Sequence, residues 1–186
     1  MSKIHVLGCD PALANMAFAR MSLDLEHLEL DLLELSIVQT ERGADKKVVR
    51  ASSVDLRRAQ ELHAGMQSAS KGCRLCFAEI PSGAQSASAA RGLGIAVGVV
   101  ASCPIPLIQV QPLEVKMASV RSKTATKKEM IDWAFSLYPN ANWMRARGKS
   151  DGPLVADNEH MADAVGAVHA GILTKEFEAV RKIVMF

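Results

Sequence analysis

Residues 3–21 read KIHVLGCDPALANMAFARM and set one carboxylate, Asp10, between two apolar runs. The first run has the short and β-branched apolar residues of a buried strand, and Pro11 stops that strand because proline lacks the N–H that a sheet requires. The segment therefore predicts a strand, a tight turn and a second strand. An acid at a strand end costs free energy unless a cation or a turn hydrogen bond compensates it. For an isolated Asp-Pro the turn role is the simpler interpretation, and the metal role stays open.

The length and composition are those of a globular protein. With 186 residues and no low-complexity segment, the sequence predicts a single domain over residues 1–186. Aromatic residues make up only 4% of the chain, so small residues must fill much of the core. No apolar run reaches membrane-spanning length and no charged-then-apolar leader opens the chain, so we expect a cytoplasmic protein with no membrane partner.

The four cysteines are Cys9, Cys73, Cys76 and Cys103. Cys73 and Cys76 have the spacing of a metal or redox pair, but a structural zinc site needs four ligands and no second pair supplies them. We therefore predict that the cysteines pack as small apolar residues in a reducing compartment.

Two segments contain basic residues and no acid, although the net charge of the chain is only +2. The basic residues of segment 115–128 are Lys116, Arg121, Lys123, Lys127 and Lys128, and those of segment 140–150 are Arg145, Arg147 and Lys149. Such segments fit a polyanion partner, and on this evidence alone they fit a solvated surface equally well.

Hydrophobic patterning predicts three strands, over residues 4–9, 15–23 and 27–39, that form an antiparallel meander. A helix capped by Ser52 or Ser53 follows and is closed by Gly72. The predicted order then continues with a strand over 73–80, a helix over 85–102, a strand over 104–110, a short helix from 112, a helix over 126–138 with a Thr126–Glu129 capping box, and a helix over 158–177.

Two features of these elements leave alternatives open. Gly94 and Gly98 give the helix over 85–102 a smooth ridge, which suits packing on the sheet or against a second subunit; packing on the sheet is the simpler interpretation from the residues alone. Trp143 lies in the second basic segment and can either stack on a base or pack beside Tyr138.

Acids fall at three places that this topology brings to one sheet edge. Asp10 ends the first strand, Glu79 ends the fourth, and His160 and Asp163 share a face of the last helix because they are three residues apart. Crowded carboxylates repel unless cations relieve them. Two hard divalent ions, about 3.5–4 Å apart, would hold the attacking and leaving oxygens of a phosphodiester displacement.

The order of these pieces resembles the ribonuclease H-like nucleases and, within them, the RuvC-type Holliday-junction resolvases, especially the shorter phage-like members. The matching pieces extend over nearly the whole chain: Gly8-Cys-Asp10-Pro, Phe77-Ala-Glu79, Pro112-Leu-Glu-Val-Lys116, Ala125-Thr-Lys127 and His160-Met-Ala-Asp163-Ala. The resemblance implies an α/β fold with a mixed five-stranded sheet, three strands antiparallel and the others parallel, flanked by helices.

The resemblance also implies an activity: a metal-dependent, structure-specific endonuclease that resolves Holliday junctions and other branched DNA by symmetric hydrolysis, in a bacterial or phage-infected cell. It implies two Mg²⁺ (or Mn²⁺) ions held by Asp10, Glu79, His160 and Asp163, with Asp10 shared between them. Lys116 and Lys127 would hold the scissile phosphate. The protein would be a homodimer, and this favours the interpretation that Gly94 and Gly98 lie at the interface with a second subunit. A non-catalytic junction-binding module, or a nuclease acting on simpler branches or RNA–DNA hybrids, remains the alternative.

Overall fold

A computed structural model describes residues 3–41, 50–83, 86–148 and 151–184. Within these residues one five-stranded sheet has the strand order β3-β2-β1-β4-β5. Its strands are β1 (Lys3–Asp10), β2 (Asn15–Asp24), β3 (Leu30–Gln39), β4 (Leu75–Glu79) and β5 (Leu107–Val110). Strands β1, β2 and β3 are antiparallel, whereas β4 is parallel to both β1 and β5. The predicted ribonuclease H-like mixed sheet is confirmed.

Helices cover both faces of the sheet. They are α1 (Ala51–Ala69), α2 (Ala87–Ala101), α3 (Pro112–Ser119), α4 (Lys127–Leu137), α5 (Asn158–Gly171) and α6 (Lys175–Val184). α1 and α2 contribute to one buried apolar cluster, and α3, α4, α5 and α6 contribute to the other. No helix in the described ranges combines the length and the apolar character needed to cross a bilayer.

The central strand β1 is buried on both faces, as its uninterrupted apolar run predicts. Leu7 and Cys9 face α1 and α2, whereas Val6 faces the cluster that contains α5. α5 crosses β1 so closely at Gly8 that a Cβ there would lie 2.0 Å from the carbonyl oxygen of Ala164. The missing side chain at Gly8 therefore lets α5 lie on β1, and this approach carries the first turns of α5 toward the end of that strand.

Some predicted element boundaries were wrong. α1 begins at Ala51, and the N–H groups of Ser53 and Val54 already bond to the carbonyl of Arg50, so neither serine is the cap. β3 begins at Leu30 because Leu28 has a left-handed φ of 57°. The fifth strand begins at Leu107 rather than at residue 104.

The last predicted helix is in fact two helices. α5 ends at Gly171, and the Thr174 hydroxyl accepts a hydrogen bond from the N–H of Phe177 at 3.1 Å, which starts α6 in the manner of an N-cap. The break places Phe177 edge-on to Phe77, with 5.6 Å between ring centroids. By contrast, the Thr126–Glu129 capping box of α4 is confirmed.

The side chain of Asn142 covers part of the outer edge of β3. Its Oδ1 accepts a hydrogen bond from the N–H of Leu35 at 3.2 Å, and its Nδ2 donates to the Leu35 carbonyl at 2.8 Å.

The neighbouring Trp143 is buried, and its indole N–H donates to the carbonyl of Tyr138 at 2.8 Å. Trp143 therefore packs in the core and does not present a stacking face.

His169 on α5 makes the free energy of unfolding depend on pH. Burial between Trp133 and Tyr138 lowers its pKa to about 4, and its Nε2 lies 3.2 Å from the Tyr138 hydroxyl. Because the unfolded chain binds this proton near pH 6.5 and the folded chain does not, stability is full above that pH and falls as pH decreases toward 4. Between pH 7 and pH 4, protonation of His169 should lower the unfolding free energy of the parent by about 3 kcal/mol. We expect His169→Gln to abolish this decrease, measured by urea titration at both pH values.

The matched control is His5→Gln, at an exposed histidine of β1. This variant should keep the pH dependence of the parent chain. An equal pH dependence in His169→Gln and the parent would contradict the assignment.

Candidate active site

Two carboxylates end neighbouring parallel strands. Asp10 is the last residue of β1 and Glu79 the last residue of β4. In the register of these strands Cys9 lies opposite Ala78, so the two acids follow side by side at the carboxyl edge of the sheet. The side chain of Asp10 is only 14% exposed. The sheet topology therefore brings together the first two predicted site residues.

The first turns of α5 supply the other two predicted residues. The Nδ1 atom of His160 lies 2.6 Å from Oδ2 of Asp10, where the imidazole N–H donates to the carboxylate. Asp163 lies one turn further along α5 and is partly buried. Asp157, the residue just before this helix, makes no side-chain cap bond and instead accepts a hydrogen bond from Nε2 of Gln39 at 3.1 Å.

The carboxyl groups act on one another through a poorly hydrated environment. Burial raises the pKa of Glu79 to about 9, and the charges of Asp163 and Asp10 add to the rise. Burial likewise raises the pKa of Asp163 to about 7, with contributions from Asp10 and Glu159. Burial also raises the pKa of Asp10, and the hydrogen bond from His160 opposes that rise. Burial and mutual repulsion thus outweigh the nearby cations, so these carboxyl groups favour their protonated forms.

Lys116 is a cation within electrostatic reach of these acids. It lies on α3, which follows β5 directly and begins with a capping box between Gln111 and Glu114. The charge of Lys116 lowers the pKa of both Glu79 and Asp163, although burial outweighs it in each case. Sequence analysis placed Lys116 in the site, and the structure brings it within electrostatic reach of two of the acids.

The donor set suits a hard divalent cation: three carboxylates that repel one another, with an imidazole beside them. Within the described ranges, however, no group of three or more His, Cys, Asp or Glu side chains is arranged to hold an ion. The hydrogen bond between His160 and Asp10 already uses one polar atom of each. The residues fit the metal by their chemistry, and binding would require the His160 and carboxylate side chains to reorient.

Comparisons with known proteins bear on the fold. No protein-family model matches the chain, and no curated protein sequence does. Among solved structures, Thermus thermophilus RuvC in complex with a Holliday junction substrate is similar over 90% of this chain and 92% of that one, with a TM-score of 0.64 and 19% sequence identity. A second structure of Thermus thermophilus RuvC has the same coverage and identity and a TM-score of 0.61. The chain has the RuvC fold.

Within this RuvC fold, sequence analysis missed the role of one site residue, Glu159. Its Oε2 lies 2.6 Å from Nζ of Lys127, which is the first residue of α4. Glu159 also raises the pKa of Asp10, Glu79 and Asp163 by its charge. An acid in a first helical turn ordinarily indicates no more than a favourable dipole contact, so the pattern carried no signal for this ion pair.

The other predicted DNA-binding residues divide into two groups around the RuvC-like sheet. Arg121 and Lys123 are exposed in the α3–α4 connection, and Lys128 pairs with Asp132 one turn along α4. In the second segment, Arg147 is exposed, whereas Arg145 donates to the carbonyl of Gly152 at 2.8 Å and lies over the ring of Phe135. Lys149 falls outside the described residues. Lys116 and Lys127, both in the first segment, interact electrostatically with the acids.

Proposed function

We propose that this protein is a RuvC-type resolvase: a metal-dependent, structure-specific endonuclease that cuts four-way DNA junctions by symmetric phosphodiester hydrolysis. One observation carries the proposal. In a RuvC fold, acids from β1, β4 and α5 meet at the carboxyl edge of the sheet beside Lys116. A group of partly buried acids whose pKa values are raised by burial and by mutual repulsion is characteristic of a functional site.

Each residue has a distinct part in the proposed site. Asp10 lies between Glu79 on the neighbouring strand and His160 on α5, which suits a carboxylate shared by two ions. Glu79, Asp163 and His160 would complete the ligand set. Bound Mg²⁺ or Mn²⁺ would supply Lewis acidity and a nucleophilic water for attack on phosphorus.

Two lysines would position the DNA backbone. Lys116 lies close enough to the acids to affect the pKa of two of them, so its ammonium group can pair with the phosphate beside the scissile bond. Lys127 has a side chain that is 74% exposed and held by Glu159, so it can exchange this partner for a phosphate. With Arg121, Lys123 and Lys128 they would form a basic surface that reads backbone geometry rather than base edges.

The test is incubation of the purified protein with a labelled four-way junction, a linear duplex, a Y-fork and an RNA–DNA hybrid, each with Mg²⁺, Mn²⁺ or chelator. We expect paired, symmetric nicks in the junction with either metal and none with chelator. Binding of the junction should weaken steeply with salt, because lysines displace counterions from phosphates.

The other outcomes discriminate between the alternatives. Junction binding without cutting in either metal would support a non-catalytic binding module. Efficient cutting of the hybrid, with the junction left intact, would favour a ribonuclease H-like nuclease of another substrate class. Cutting that persists in chelator would contradict the proposed metal site.

A homodimer would place two such sites on opposing strands of a junction. Gly94 and Gly98 are both exposed on α2, and a Cβ at either position would meet no atom within 4 Å. The ridge that they form therefore faces away from the sheet, so the simpler interpretation of helix–sheet packing was wrong. A small-residue ridge that is exposed in one copy suits close packing against a second.

We expect Gly98→Glu to weaken dimer formation at least about tenfold by sedimentation equilibrium, because it puts a charged side chain into a close helix contact. The matched control is Ser136→Glu, on the exposed face of α4 across the sheet. The control should leave the dimer unchanged. Equal dimer dissociation constants for Gly98→Glu and the parent would exclude this surface as the interface.

A further inference from the structure

Two consecutive lysines begin α4, and each is paired with an acid. Nζ of Lys127 lies 2.6 Å from Oε2 of Glu159 on α5, whereas Lys128 pairs with Asp132 one turn along its own helix. Both lysines are exposed and belong to the basic surface proposed to contact DNA. A phosphate that approaches either lysine therefore competes with a carboxylate for the ammonium group.

The two carboxylates differ in their access to water. The side chain of Asp132 is 57% exposed, and an exposed pair at this spacing contributes little because water and salt screen both charges. The side chain of Glu159 is only 20% exposed. A carboxylate that has lost most of its water interacts more strongly with a nearby cation, since the local dielectric constant is lower. Glu159 therefore holds Lys127 more firmly than Asp132 holds Lys128.

The surroundings of Glu159 carry the same sign of charge as Glu159 itself. Asp163 is four residues further along α5 and so shares its helix face, and the adjacent His160 bonds to Asp10 at 2.6 Å. If a phosphate takes the ammonium group of Lys127, Glu159 stays poorly hydrated and loses this cation beside other acids. Separating the pair therefore costs free energy.

α4 and α5 are held together by other contacts. Both helices contribute side chains to one buried apolar cluster, among them Met130, Ile131, Ala134, Met161 and Ala162. The capping box between Thr126 and Glu129 fixes the start of α4 separately. The fold therefore has no special need of the Lys127–Glu159 pair, and the pair can open without separating the helices.

We propose that Glu159 restrains Lys127 and thereby lowers the affinity of the protein for branched DNA. In the free protein the carboxylate of Glu159 holds the ammonium group against α5. In the complex a backbone phosphate displaces that carboxylate, and the cost of separating the pair offsets part of the gain from the new contact. This inference rests on the proposed function, because it takes a DNA phosphate as the competitor of Glu159.

Restraint of Lys127 differs from a general effect of charge. Any acid near a basic surface repels DNA, so its removal raises the affinity whether or not Lys127 is present. If Glu159 acts by holding Lys127, its removal matters only while Lys127 is there to be released. A double-mutant cycle over the two residues separates these cases.

The test is titration of a labelled four-way junction with the purified protein in chelator, read by fluorescence anisotropy, so that cleavage plays no part. We expect Glu159→Gln to lower the dissociation constant about fivefold and Lys127→Gln to raise it. The double variant should bind within about twofold of Lys127→Gln, because no ammonium group is left to release. The matched control is Asp132→Asn, which removes a negative charge from beside Lys128 and should bind within about twofold of the parent.

Circular dichroism first establishes that each variant is folded. Equal tightening by Glu159→Gln in the presence and in the absence of Lys127 would overturn the proposal. Equal tightening by Asp132→Asn, or no tightening by Glu159→Gln, would overturn it as well. A parent protein that binds no junction would contradict the proposed function, and this inference would fall with it. Junction binding by the parent with no coupling in the cycle would overturn this inference alone.

Discussion

Replacing Asp10 with asparagine is expected to slow junction cleavage by about 10³-fold or more, because the amide removes the charge that both ions would share. The measurement is single-turnover cleavage of a labelled four-way junction in Mg²⁺. Junction binding should stay within about threefold of the parent, since the lysines proposed to contact phosphate are unchanged. Residual cutting within tenfold of the parent would remove Asp10 from the proposed metal site.

The same substitution should not destabilise the protein. Burial raises the pKa of Asp10, so the ionised form is held at a cost that asparagine avoids. We therefore expect a melting temperature equal to or above that of the parent, which separates lost chemistry from lost folding. The matched control is Asp31→Asn at the exposed ion pair with Lys3, which should leave cleavage unchanged.

Replacing Gly8 with alanine is expected to cost about 3 kcal/mol of unfolding free energy, measured by urea titration. The added Cβ would lie 2.0 Å from the carbonyl oxygen of Ala164 and 2.8 Å from a methyl of Val168, and a backbone oxygen inside a helix cannot turn aside. α5 must therefore shift as a unit. Such a shift would also move His160 and Asp163 away from Asp10 and reduce cleavage.

Gly94→Ala is the control for this prediction. Its Cβ would meet nothing within 4 Å, and alanine is the better helix former by roughly 1 kcal/mol. The variant should be as stable as the parent or more stable. If Gly8→Ala unfolded at the same urea concentration as Gly94→Ala, the close crossing of α5 over β1 would be wrong.

Sequence patterning predicted the strands and their order along the chain because each strand has a distinct signal. The buried run before Asp10, the meander after it and the run before Glu79 are all short, apolar and bounded by turn residues. Parallel β4 then had to place Glu79 beside Asp10, since the carboxyl ends of parallel strands share one edge. The acids of the site could therefore be named before the structure.

Contacts between side chains that are distant in sequence could not be predicted in this way. The Lys127–Glu159 ion pair joins two helix N-termini, and each residue alone fits an ordinary first turn. The break before Thr174 was missed because the apolar period continues through it.

The amide of Asn142 has a consequence for how copies of this protein can associate. An open strand edge invites a strand of another molecule to pair with it and begin aggregation. At Leu35 the Asn142 side chain already makes both bonds that an incoming strand would offer, so pairing there must first break two hydrogen bonds. At the opposite margin β5 has only four residues, too few to hold a foreign strand firmly. Strand pairing between molecules is thus disfavoured at both edges of the sheet, and we expect copies of the protein to associate through their helical surfaces.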